Sequence, residues 1–123
     1  MGRTTTIVFV CLLALAIGGQ GFPAAAAPAK PQRIEIKGSE FKYEPKDVTA
    51  RTGEIILVVT NTGATDHNIV IQDAAGKDLA QIPVISPGKT EELKVTLRPG
   101  TYRLVCTLPG HKEAGMVGTL KVQ

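Results

Sequence analysis

No run of lysine or arginine occurs in this sequence; its 14 basic residues stand singly among 123. That dispersal argues against a nucleic-acid-binding tract and against a polybasic membrane patch. A net charge of +3 and a pI near 9.0 leave only a mild bias toward acidic partners. No apolar run is long enough to cross a bilayer, which takes about 20 residues; the longest, Ile7 to Ile17, falls well short. No stretch carries a helical stripe of apolar side chains, and Asp73 to Gln81 would hold at most a turn or two. There is no internal repeat. With 43% hydrophobic and 20% charged residues, the chain is too apolar for disorder. Its length suits one domain, not two.

The N-terminus has a different character. Arg3 is the only charge before Lys30, the apolar run follows it, and small residues then lead to Ala24-Ala25-Ala26-Ala27-Pro28. This is the layout of a secretory signal peptide, with cleavage expected after Ala26; a retained membrane anchor is the alternative. The expected organisation is a leader over 1–26, a flexible Ala-Pro tether over 27–32 and a single domain over 33–123, exported to the periplasm. Cys11 lies in the middle of the apolar run and not at its end, which argues against a lipoprotein, and there is no twin-arginine pair.

Cysteine is nearly as scarce as charge clusters. Once the leader is removed, Cys106 is alone and cannot form an intrachain disulfide. A single thiol in an exported protein is buried and inert, reactive, or bound to a metal.

Short strands account for the rest. Arg33 to Lys37 and Phe41 to Tyr43 alternate polar and apolar residues, and Asp47 to Ala50 forms a brief piece before a turn at Arg51-Thr52-Gly53. Ile55 to Thr60 is continuous and β-branched, as expected of a central strand buried on both faces. Asn61-Thr62-Gly63 reads as a turn. His67 to Gln72, Thr90 to Leu97, Thr101 to Cys106 and Val117 to Val122 complete the set, with Gly and Pro punctuating about every ten residues. The reading is all-β: a Greek-key sandwich or closed barrel of about eight strands.

Four residues carry the chemistry. Cys106, His111 and Met116 fall in the order C-x4-H-x4-M, in a loop between two expected strands, where Pro109, Gly110 and Gly115 permit sharp bends. His67, the other of just two histidines, opens an earlier strand. Each residue alone has an ordinary explanation as core, surface or strand-edge residue. Together, two imidazoles, one thiolate and a weak axial thioether are the donor set of a blue copper electron-transfer site. Thiolate and imidazoles hold Cu(II), while the soft thioether suits Cu(I). With one thiolate, the charge of ion plus ligands is +1 oxidised and zero reduced, so the reduced state is inexpensive to bury.

These residues resemble the cupredoxins, the type 1 blue copper family. Cys106-Thr107-Leu108-Pro109-Gly110-His111 is similar to the azurin and auracyanin loop. His67-Asn68-Ile69-Val70, Ala114-Gly115-Met116-Val117-Gly118 and Tyr102 look like plastocyanin. The likeness covers about residues 33–122. It departs from plastocyanin in lacking an acidic patch, in its longer Cys-to-His gap, and in Asp66 before the first histidine. The resemblance implies a β-sandwich holding one copper ion near one end, with His67 buried and His111 near the surface. It implies that Asn68 ties the His67 strand to the backbone near Thr107. It also implies an uncharged docking patch at Leu108, Pro109 and Gly110, faced by Gly63 and Ala64 and rimmed by Lys112 and Glu113. Tyr102 is a fold-stabilising corner, an electron-path residue or a plain surface tyrosine. The expected role is a monomeric shuttle of single electrons, meeting a c-type cytochrome or terminal oxidase transiently. A copper carrier or storage protein is the alternative, against which the lack of Met-rich or Cys-x-x-Cys tracts counts. An enzyme is disfavoured, because both histidines are already used and no second copper site or nucleophile–base pair remains.

Overall fold

The computed structural model describes residues 1–2, 21–24 and 29–123; most of the expected leader, and the start of the tether, lie outside the described residues. Nine strands follow: β1 (Gln32–Ser39), β2 (Lys42–Glu44), β3 (Asp47–Ala50), β4 (Gly53–Asn61), β5 (His67–Gln72), β6 (Asp78–Ile85), β7 (Thr90–Leu97), β8 (Gly100–Val105) and β9 (Val117–Val122). They form two sheets, β2-β1-β4-β7 and β3-β9-β8-β5-β6. The molecule is therefore a sandwich and not a closed barrel. Most pairs are antiparallel; β1/β4 and β3/β9 are parallel, joined by chain that crosses between the sheets.

Aliphatic side chains from both inner faces make the core. Ile36, Leu57, Ile69, Ile71, Leu104 and Leu120 are fully buried, and each such side chain contributes roughly 1.5–3 kcal/mol by leaving water. The continuous apolar run of β4 is explained by its place between β1 and β7, where Ile55, Ile56 and Leu57 are buried in succession. Tyr102 closes a corner: its hydroxyl donates to the Arg98 carbonyl at 2.9 Å.

The strand count corrects the sequence reading at one place. Asp73 to Gln81, read as holding at most a turn or two, and the unassigned residues after it contain β6, Asp78–Ile85. Its pattern was obscured by Pro83 and by exposed Leu79 and Val84. The strand lies at the edge of its sheet, where a proline costs no ladder hydrogen bond. A bulge then breaks the period: His67 pairs with Ile85 but Ile69 with Ile82, so Ile82 and Ile85 both point inward three residues apart.

This topology delivers the functional residues to one end. β5 and β8 are antiparallel neighbours, with Val70 opposite Val105. Continuing that register beyond the ladder sets Asn68 opposite Thr107. The start of β5 and the end of β8 thus meet where the β8–β9 loop begins.

Candidate metal centre

The β8–β9 loop is folded by its own backbone. Cys106 N–H donates to the Met116 carbonyl at 3.1 Å, Met116 N–H to that of His111 at 3.0 Å, and His111 N–H to that of Leu108 at 3.1 Å. Gly110 and Gly115 sit at positive φ, 81° and 105°, and supply the left-handed bends this winding needs. The main chain at Cys106, His111 and Met116 is therefore drawn together although these residues are spread along the loop.

This loop adjoins His67. His67 Nδ1 lies 3.2 Å from His111 Nδ1, and Cys106 Sγ lies 3.4 Å from His111 Nδ1. One donor atom from each of the three residues falls within 4.8 Å of the others. Three atoms able to offer lone pairs converge, an arrangement that can hold a cation. His67, Cys106 and Met116 are buried, while His111 is partly exposed. Burial drives the His67 pKa down, the Glu40 carboxylate opposes this, and His111 adds to the lowering. The ring is thus kept neutral, the form in which imidazole binds a metal. Soft sulfur donors beside imidazoles fit copper better than magnesium or calcium, which take oxygen ligands.

Asn68 bridges the start of β5 to the residue after Cys106. Its amide donates to Thr107 Oγ1 at 2.8 Å and its side-chain carbonyl accepts from Thr107 N–H at 2.8 Å, locking β5 to the residue after Cys106. Met116 is fully buried, and a Cβ on Gly38 would lie 3.4 Å from its terminal methyl. Leu108 is half-buried against the core, whereas Pro109 and Gly110 are exposed, as is Ala64 in the facing loop.

Four further residues shape the site without having stood out in the sequence. Asn61, read as a turn residue, is buried; its amide donates to the carbonyls of Thr65 at 2.8 Å and Ile85 at 2.7 Å, and its carbonyl accepts from Gly63 N–H. It thereby shapes the loop leading to His67. The buried Tyr43 hydroxyl donates to the Asn68 carbonyl at 2.6 Å; burial, with Cys106 close by, pushes its pKa well above the usual tyrosine range. Phe41 meets His111 edge to face, ring centroids 5.0 Å apart. Glu40 accepts from the N–H groups of Ala64 and Thr65, which help hold its pKa down to about 2. None of these could have been found from spacing, because each acts across the fold.

Known proteins resemble this chain in both sequence and fold. Residues 31–123 match the family model described as copper binding proteins, plastocyanin/azurin family. The chloroplastic plastocyanin of Oryza sativa subsp. indica is 33% identical over 116 residues, covering 89% of this chain and 73% of the relative. The copper-resistant cuproprotein CopI of Vibrio cholerae is 30% identical over 120 residues, covering 83% and 71%. Among solved structures, dithionite-reduced auracyanin from Roseiflexus castenholzii superposes with a TM-score of 0.68 at 29% identity, covering 79% of this chain and 99% of that one.

Proposed function

This chain belongs to the plastocyanin/azurin family of copper-binding proteins, and from that membership we propose that it carries single electrons between redox partners through one type 1 copper ion. The observation that carries this reading is the convergence of His67, Cys106 and His111 within 4.8 Å, with His111 alone of the candidate ligands reaching the surface. These three residues would hold the ion, and Met116 would stand as its weak axial ligand. Copper, when bound, supplies a one-electron Cu(II)/Cu(I) couple.

The protein's part is to hold the donors still and exclude water. Cys106 gives a thiolate whose single charge suits both oxidation states. Asn68 and the wound loop restrain that sulfur and His111, which reduces rearrangement on electron transfer. The His111 edge, with Phe41, Leu108, Pro109 and Gly110 around it, is the place for an electron to enter or leave. Brief encounters of this kind use interfaces below about 1,200 Å², which suits a monomer meeting a c-type cytochrome or a terminal oxidase. Export to the periplasm follows from the leader-like residues 1–26. Burial of His67, Cys106 and Met116 denies a substrate access to the ion, so we assign no catalysis.

Addition of Cu(II) to the purified protein is expected to give an intense thiolate-to-copper band in the visible, with narrow parallel hyperfine splitting in the paramagnetic resonance spectrum. Absence of that band would overturn the reading. Met116→Leu is expected to retain copper and raise the reduction potential; for a one-electron couple each tenfold relative loss of Cu(II) binding corresponds to about 59 mV. An unchanged potential would remove Met116 from the axial position.

The likeness to CopI favours a second reading, copper handling in resistance. A carrier would release copper readily to a chelator and cycle poorly between oxidation states. Slow release with reversible voltammetry decides for electron transfer.

A further inference from the structure

We propose that Glu40, in the turn between β1 and β2, is the positioning residue for His67, its carboxylate keeping the proton on Nε2 so that Nδ1 faces the metal. The proposal rests on the copper reading above, and its starting point is an unsatisfied atom. His67 is 1% exposed, and its Nε2 is the buried side-chain nitrogen or oxygen that lacks a hydrogen-bond partner among the described residues. Glu40 Oε1 lies 3.4 Å away. Nδ1, on the other side of the ring, points toward His111 and the donor cluster. One nitrogen of a neutral imidazole is protonated and the other offers a lone pair. A carboxylate, which only accepts, therefore favours a proton on Nε2 and leaves the Nδ1 lone pair to the cluster. A cation on Nδ1 makes Nε2–H more acidic and strengthens the contact, and the carboxylate in turn makes the ring a better donor.

The placement of Glu40 is built and not incidental. Its Oε1 also accepts from Ala64 N–H at 2.7 Å, Thr65 N–H at 2.9 Å and Thr65 Oγ1 at 3.0 Å. Gly63 makes room for it: a Cβ there would lie 2.6 Å from Oε2 and 2.7 Å from Cδ, inside van der Waals contact. The carboxylate thus joins the β1–β2 turn to the loop that ends at His67. A negative charge beside a ligand favours Cu(II) over Cu(I), so Glu40 would also hold the potential down.

Two variants separate this role from mere loop fastening. Glu40→Gln keeps a side-chain carbonyl for the loop amides and removes the charge. Its Cu(II) affinity relative to Cu(I) is expected to fall about tenfold, the lower end of the range for such outer partners, which raises the potential by about 59 mV with little change in melting temperature. Glu40→Ala removes charge and acceptor together. In the 15N-labelled protein without copper, the His67 ring nitrogens are expected to show the Nε2–H tautomer in the wild type and a mixture in Glu40→Ala. An unchanged potential in Glu40→Gln, or an unchanged tautomer in Glu40→Ala, overturns the proposal; if Glu40→Ala does not fold, Glu40→Gln decides. A wild type that takes up no copper into a coloured site would sink the copper reading instead, and the tautomer measurement would still judge Glu40.

Discussion

Cys106→Ser is expected to abolish the visible band and the one-electron couple together, while leaving a folded protein. The band requires a thiolate, and serine retains its hydroxyl proton at neutral pH. The backbone at this position donates to the Met116 carbonyl at 3.1 Å, a bond that the substitution does not touch. Serine is slightly smaller than cysteine, and its hydroxyl would replace a sulfur that lies 3.4 Å from His111 Nδ1. If left unpaired in this buried place, the hydroxyl costs about 1–3 kcal/mol, so a modest fall in melting temperature accompanies the loss of colour. Absorption and voltammetry of the copper-treated variant check the outcome. A retained intense band would mean that another group supplies the charge transfer, and the assignment of Cys106 would fall.

Gly118→Ala is expected to lower the melting temperature more than Cys106→Ser or Met116→Leu. Gly118 is buried in β9, two residues beyond Met116, and a Cβ there would press into the backbone carbonyl of Lys46, with Leu104 Cβ at 3.7 Å. That carbonyl already accepts from Thr119 N–H at 2.9 Å, at the point where β3 joins β9. A flexible side chain could swing aside, whereas this obstacle is main chain held in a sheet. Overpacking of this kind costs about 3 kcal/mol at the upper end of the usual range. For a domain of this size each kcal/mol lowers the melting temperature by roughly 4–8 °C, so a fall of more than about 10 °C is expected in a thermal melt of the copper-free protein. A shift within a degree or two would show that β3 moves away at little cost.

The strands that were legible in the sequence are those whose surroundings repeat along the chain. β4 carries an unbroken apolar run because Ile55, Ile56 and Leu57 are all buried, and β7 alternates because one of its faces is wet. β6 was illegible for the converse reason. An edge tolerates Pro83, and the bulge opposite Asn68 replaces the two-residue period with a three-residue step. The grouping of His67 with Cys106, His111 and Met116 was legible from residue type, since that donor set is rare and the chain has few residues able to supply it. Their supporting residues were not. Glu40 looks like any polar residue between strands, and Asn61 like any turn residue. Their roles arise only when β1, β5 and β6 bring distant loops together at one end.

The loop from Cys106 to Met116 is fastened at its two ends, by the main-chain bond between those residues and by the clasp of Asn68 on Thr107. Its interior makes few demands on the sheets, as residues 112–115 are all exposed. The segment behaves as an exchangeable cartridge. Heritable changes at these exposed positions would retune voltage and partner choice while the scaffold keeps its melting point, so the two properties can evolve on separate tracks.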